Sequence, residues 1–159
     1  MADYTLEEKD RFTVLGFGTE LKSHYTDFAG LSKEKSDFWQ AVSQDGRLDT
    51  LKALATNDYV FAVNEAVNNK MMHYAGIMTA ASALEKSRVI QFPKGQYLVV
   101  KGEGQTADEL NDKLVGLAFG QILPEAKNFA YVGGPNAMVL MGQRSGLVLG
   151  EMWIPVVGK

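Results

Sequence analysis

DYVFAVNEAVNNKMMHYAGIMTA, residues 58–80, reads as two strand-like runs separated by Asn68, Asn69 and Lys70. Asparagine tolerates the left-handed backbone of a tight turn, so the spacing predicts a β-hairpin. A second pair of runs, AMVLMGQ (137–143) and LVLGEMWIPV (147–156), closes around Arg144, Ser145 and Gly146 in the same way. Ahead of the first hairpin lie a strand-like RFTVLGFGTEL (11–21) and a helical region. Ahead of the second lie RVIQF (88–92), QYLVVKGEG (96–104) and another helical region. The order strand, helix, hairpin thus occurs twice.

The helical regions carry their own signals. In LSKEKSDFWQAV (31–42), Ser32 is placed to cap a helix bearing Phe38, Trp39 and Val42; Gly46 interrupts it, and RLDTLKALA continues at helical spacing. TADELNDKLVGLAFGQIL (106–123) opens with Thr106 and Glu109 spaced as a capping box and carries Leu110, Leu114, Leu117 and Ala118 as one apolar stripe, with Pro124 marking the stop. The expectation is one α+β domain over residues 1–159, built from two repeats of about 10–84 and 87–157. A pseudo-two-fold relates the repeats, each with helices on one side of its antiparallel sheet and a ligand cleft on the other.

Composition narrows the function. The chain has 159 residues, no cysteine and a net charge of −3. Disulfides, thiolate metal sites and cysteine nucleophiles are excluded, and a reducing cytoplasm fits. Lys and Arg are scattered, and no helix carries the basic stripe of a nucleic-acid binder. Apolar runs such as YLVV and MVLM are too short to span a membrane. Two histidines with no HxH or HxxxH spacing predict no metal site, and GEGQTADEL lacks the spacing of a nucleotide loop. No cofactor is expected.

The chemistry-bearing residues gather on the last strand. In GEMWIPV (150–156) alternation puts Glu151, Trp153 and Pro155 on one face and Met152, Ile154 and Val156 on the other. The plainer reading of Glu151 is a half-exposed strand residue. The sharper one is a carboxylate on a cavity wall, which must be protonated, hydrogen-bonded or available to a cation. Aromatic walls favour flat and positively charged ligands. Trp153, Trp39, Tyr97 and Phe17 are candidates to line such a cleft, and alternation admits only one of His73 and Tyr74. Aligning HYAGIM (73–78) with EMWIPV (151–156) sets His73 against Glu151 as an acid–base pair.

These pieces together resemble the GyrI-like small-molecule-binding family, the effector-binding domain of bacterial multidrug-sensing transcription activators. The resemblance rests on FTVLGFG, DFWQAV, HYAGIM, FPKGQYLVVKGEG and EMWIPV in this order. It implies a stand-alone domain in which Glu151 is the cavity glutamate for lipophilic aromatic cations, acting in drug sensing or sequestration. It implies as an alternative a detoxifying hydrolase that opens cyclopropane-containing DNA-alkylating compounds, with Glu151 as water-activating base and Tyr74 or His73 assisting. The expected partners are a small aromatic ligand and either a transcription regulator or a second copy of the chain, with no direct nucleic-acid or membrane contact.

Overall fold

The computed structural model describes residues 4–24 and 26–158. Its strands are β1 (Tyr4–Lys9), β2 (Phe12–Leu21), β3 (Val60–Val67), β4 (Lys70–Met78), β5 (Arg88–Phe92), β6 (Gly95–Gly104), β7 (Phe129–Tyr131), β8 (Asn136–Arg144) and β9 (Leu147–Gly158). The helices are α1 (Phe28–Gln44), α2 (Arg47–Lys52) and α3 (Ala107–Leu117); the last runs on through a π-helical stretch, Ala118–Ile122, and a final turn, Leu123–Glu125. None of them is long and apolar enough to cross a membrane.

Local chemistry sets most of the boundaries. Asn68 and Asn69 take φ of 51° and 64°, the mirror-image turn that matches strand twist. Thr106 accepts a hydrogen bond from the Glu109 amide at 3.0 Å, while the Glu109 carboxylate takes the amide of Gln105. The first helix begins earlier than the sequence suggests. Its cap is Asp27, whose side chain accepts from Gly30, and not Ser32. Gly46, at φ 87°, ends α1 and starts α2. Two strands carry no clear sequence signal: β1, which pairs with β6, and the three-residue β7, which pairs with β9.

The two repeats share one sheet instead of forming one each. Its order is β1-β6-β9-β8-β3-β4-β2-β5, antiparallel throughout. The central run β6-β9-β8 | β3-β4-β2 is symmetric about the β8–β3 seam, as a duplicated strand-helix-hairpin unit requires. All three helices cover one face. There α3 packs on Leu98, Val100, Met152 and Ile154; α1 packs on Ala75 and α2 on Leu15 and Ile77.

The other face closes on itself. On a flat sheet four strand spacings, roughly 19 Å, would separate β2 from β9. Yet the rings of Phe12 on β2 and Trp153 on β9 lie 5.7 Å apart, edge to face. Phe12 also stacks on Phe92 at 4.6 Å and reaches Phe61 and Tyr97 at 6.3 and 6.1 Å. The sheet is therefore strongly curled around an aromatic interior. Gly16 and Gly76 lie opposite each other between β2 and β4, and a Cβ on either would meet a partner-strand carbonyl oxygen at 2.9 or 2.8 Å. The pair lets these strands approach closely.

On the helix side a partly buried polar chain crosses the seam. Trp39 Nε1 donates to His73 Nε2 at 2.9 Å, and His73 Nδ1 reaches Asn64 Oδ1 at 2.8 Å. With Nε2 accepting, the neutral ring carries its proton on Nδ1 and donates it to Asn64. Asn64 donates to Asn136 at 3.1 Å, Asn136 to the Tyr131 hydroxyl, and that hydroxyl to the Gly134 carbonyl. Every member is paired, so the network locks the two repeats together without stranding a polar group.

Two tests follow from this packing. Phe12→Ala should lower stability by about 3 kcal/mol, the usual scale for deleting a packed aromatic ring, seen as a shift in the urea midpoint. Burial and the Lys35 ammonium hold the His73 pKa down to about 3, against 6.5 for the free side chain. Between those values the unfolded chain binds a proton that the folded one refuses. The contribution of His73 is complete above pH 6.5 and declines as pH falls towards 3, by up to about 1.4 kcal/mol per pH unit. The stability difference between wild type and His73→Gln should trace that slope.

Candidate functional site

Register sorts the side chains of the curled face into rows. Val99, Trp153, Ala137, Val63 and Tyr74 stand directly across from one another on β6, β9, β8, β3 and β4. The neighbouring row runs Lys101, Glu151, Val139, Phe61 and Gly76. Glu151 and Trp153 thus share a face, as alternation predicts. The indole Nε1 donates to Glu151 Oε1 at 2.8 Å. The carboxylate is half-buried and hydrogen-bonded, which relieves the desolvation that an unpartnered charge would suffer.

Trp153 is 6% exposed. Phe12 and Phe61 meet it edge to face at 5.7 and 5.6 Å, and Lys9 Nζ lies 3.9 Å from its ring centroid. Lys9 is also 3.7 Å from Glu7. The Thr5 hydroxyl, donating at 2.6 Å, is the main influence holding the Glu7 carboxyl below the usual carboxylate range, with Lys9 and Lys101 adding to it. Opposite charges therefore alternate around one indole, a setting suited to a flat molecule with a localised or spread charge.

Tyr74 faces this side, three strands from Trp153. Its ring lies on Gly18, where a Cβ would strike it. Burial, then the Glu65 carboxylate, pushes its hydroxyl up, while Arg88, ion-paired with Glu65 at 3.0 Å, pulls it down. Tyr97 shares the face but is fully buried; its hydroxyl donates to the Pro93 carbonyl at 2.7 Å, and burial raises it to about 12. It supports the aromatic interior from below.

The remaining residues singled out in the sequence lie on the opposite face. Phe17 packs with Leu15, Leu51 and Ile77 beneath α2. Trp39 and His73 belong to the partly buried polar chain. The pairing of His73 with Glu151 does not form, because the sheet stands between them. Aligned on their turns, Asn68-Asn69 and Ser145-Gly146, the two hairpins set Tyr74 and not His73 in the place of Glu151. An extra residue in β8, between Leu140 and Gly142, breaks the symmetry further.

Trp39 and His73 instead border a cavity of about 100 Å³ between α1 and α3, floored by Ala62, Met138 and Leu140. Lys35 also borders it; burial lowers its pKa, with Asp112 opposing. Phe12, Phe61, Lys9 and Lys35 were not among the site residues read from the sequence. The alternation of RFTVLGFG does mark Phe12 as facing with Val14, but nothing in YTLEEK distinguishes Lys9 from a solvated lysine.

The sequence profile of the integron-associated effector binding proteins matches residues 5–156. No curated protein matches the chain in sequence. Among solved structures, SAV2435 bound to tetraphenylphosphonium superposes with a TM-score of 0.79 at 18% identity, covering 98% of this chain and 94% of that one. An integron cassette protein of Vibrio cholerae, VCH_CASS2, gives 0.68 at 12% identity over 97% and 95%. The C-terminal domain of EcmrR gives 0.61 at 10% identity over 99% and 98%. At these identities the structures establish a shared fold, the GyrI-like α+β arrangement. The profile match over nearly the full length establishes kinship, and the chain belongs to the integron-associated effector-binding family.

Proposed function

We propose that the protein binds lipophilic cations bearing flat aromatic rings against Trp153 and Glu151 on the curled face, acting in drug sensing or sequestration. One observation carries this reading. The indole is held by a carboxylate at its Nε1 and has the ammonium of the chain's own lysine on its ring, which supports a site suited to a cation. SAV2435, which shares the fold, was solved with a lipophilic phosphonium bound. The family name points to an effector, and the EcmrR domain shows the fold inside a regulator that meets DNA as a larger protein.

A hydrolytic role would ask Glu151 to activate water with an acid beside it. His73 lies across the sheet, and the carboxylate beside the Tyr74 hydroxyl is Glu65, not Glu151, so neither completes that arrangement; binding without turnover is the better supported reading.

The test is a calorimetric titration with tetraphenylphosphonium and with neutral triphenylphosphine oxide. Glu151→Gln keeps the shape and an acceptor for Trp153 but removes the charge. It should weaken the phosphonium on the order of tenfold and leave the neutral compound nearly unchanged. Equal loss of both would show that the charge is not what the site uses. An aromatic cyclopropane substrate incubated with the wild type should decay no faster than in buffer.

A further inference from the structure

Lys9 is an unusual lysine. Its side chain is 18% exposed, against 76% for Lys33 on α1. Holding a long, rotamer-rich side chain at such low exposure costs conformational entropy, so the position needs compensation. The compensation is visible: the Trp153 ring at 3.9 Å and the Glu7 carboxylate at 3.7 Å. Opposite Lys9 on β6 stands Gly95, which presents no side chain of its own on that face. Lys9, Phe12 and Phe61 together leave the indole 6% exposed. A planar cation therefore has no free ring face on which to lie.

We infer that Lys9 is a built-in competitor: its ammonium occupies the Trp153 face that a ligand cation would take, and ligand binds by displacing it. This rests on the reading of the Trp153–Glu151 face as the binding site. Displacement puts one positive charge in place of another on the indole, so the ring and the Glu151 carboxylate at its Nε1 still face a cation while the ligand is bound. It also sets a selection rule. A compact, hydrated cation offers no more than the ammonium already there. A wide aromatic cation adds apolar contact that the lysine stem cannot match, and only such a ligand gains by the exchange. The released Lys9 keeps a place near Glu7, which limits the loss.

Two measurements test this. In a ¹H–¹³C spectrum the Hε protons of Lys9, assigned by their disappearance in Lys9→Ala, should lie upfield of the other lysines through the indole ring current. Saturating tetraphenylphosphonium should return them to the position of solvated lysines. In calorimetry, Lys9→Ala should bind tetraphenylphosphonium about 2- to 30-fold more tightly than wild type, the range that a displaced cation–π contact spans. Lys9→Arg, which restores a cation on the ring, should bind no more tightly than wild type. If wild type binds and Lys9→Ala binds equally or more weakly, the competitor is overturned while the site stands. Lys9 resonances at ordinary lysine positions in the free protein would overturn it independently. If neither wild type nor Lys9→Ala binds, the site and its competitor fall together.

Discussion

The contact between Phe12 and Trp153 is the constraint on which the molecule turns. It joins strands that are four spacings apart in one sheet, so it exists only if the sheet curls. Once curled, the sheet has a tight aromatic interior and a broad outer face, and only the outer face has room for helices. The division of labour between the faces follows from that single closure. In the function proposed above, Trp153 has two duties: the ring that holds the curl is also the surface offered to a ligand, so the packing that stabilises the fold would assemble the site as well.

Much of this was legible where signals are local. The Asn68-Asn69 turn, the Thr106 cap, the glycine between α1 and α2 and the repeated order of elements each rest on the chemistry of a few adjacent residues. The strands missed were edge or short ones. In β1, Tyr4 and Leu6 are exposed, and β7 is three residues long, so neither develops an apolar pattern. The choice between His73 and Tyr74 stayed open for a different reason. Residues 73–77 are all buried, because β4 lies between the helices on one side and the aromatic interior on the other. A strand covered on both faces has no wet side, and alternation then carries no direction. The shared face of Glu151 and Trp153 was readable because their strand mixes a carboxylate into an apolar run; the contact of Lys9 with the indole was not, since it depends on a residue more than a hundred positions away.

The two faces use opposite means to handle polar groups. On the helix side, neutral groups form an unbroken chain from Trp39 to Gly134, with an imidazole kept uncharged by burial. On the curled side, full charges stand close together and partly in water, where each can be answered by another or by a ligand. The first arrangement is specific and rigid, suited to joining two halves of a duplicated frame. The second tolerates exchange. The separation explains why Trp39 and His73, reasonable cleft residues in a one-dimensional reading, serve the seam.

The strand that bears Lys9 lies outside the symmetric six-stranded unit, pairing only with β6 at the margin of the sheet. Its side chain reaches the central indole, while its backbone pairs with β6 alone. With Lys9 as the competitor proposed above, selectivity could drift by single codon changes at this margin while the duplicated frame stays as it is. A protein engineer has the same freedom. A detector for aromatic cations could be graded from lax to stringent at one position, with the scaffold left untouched.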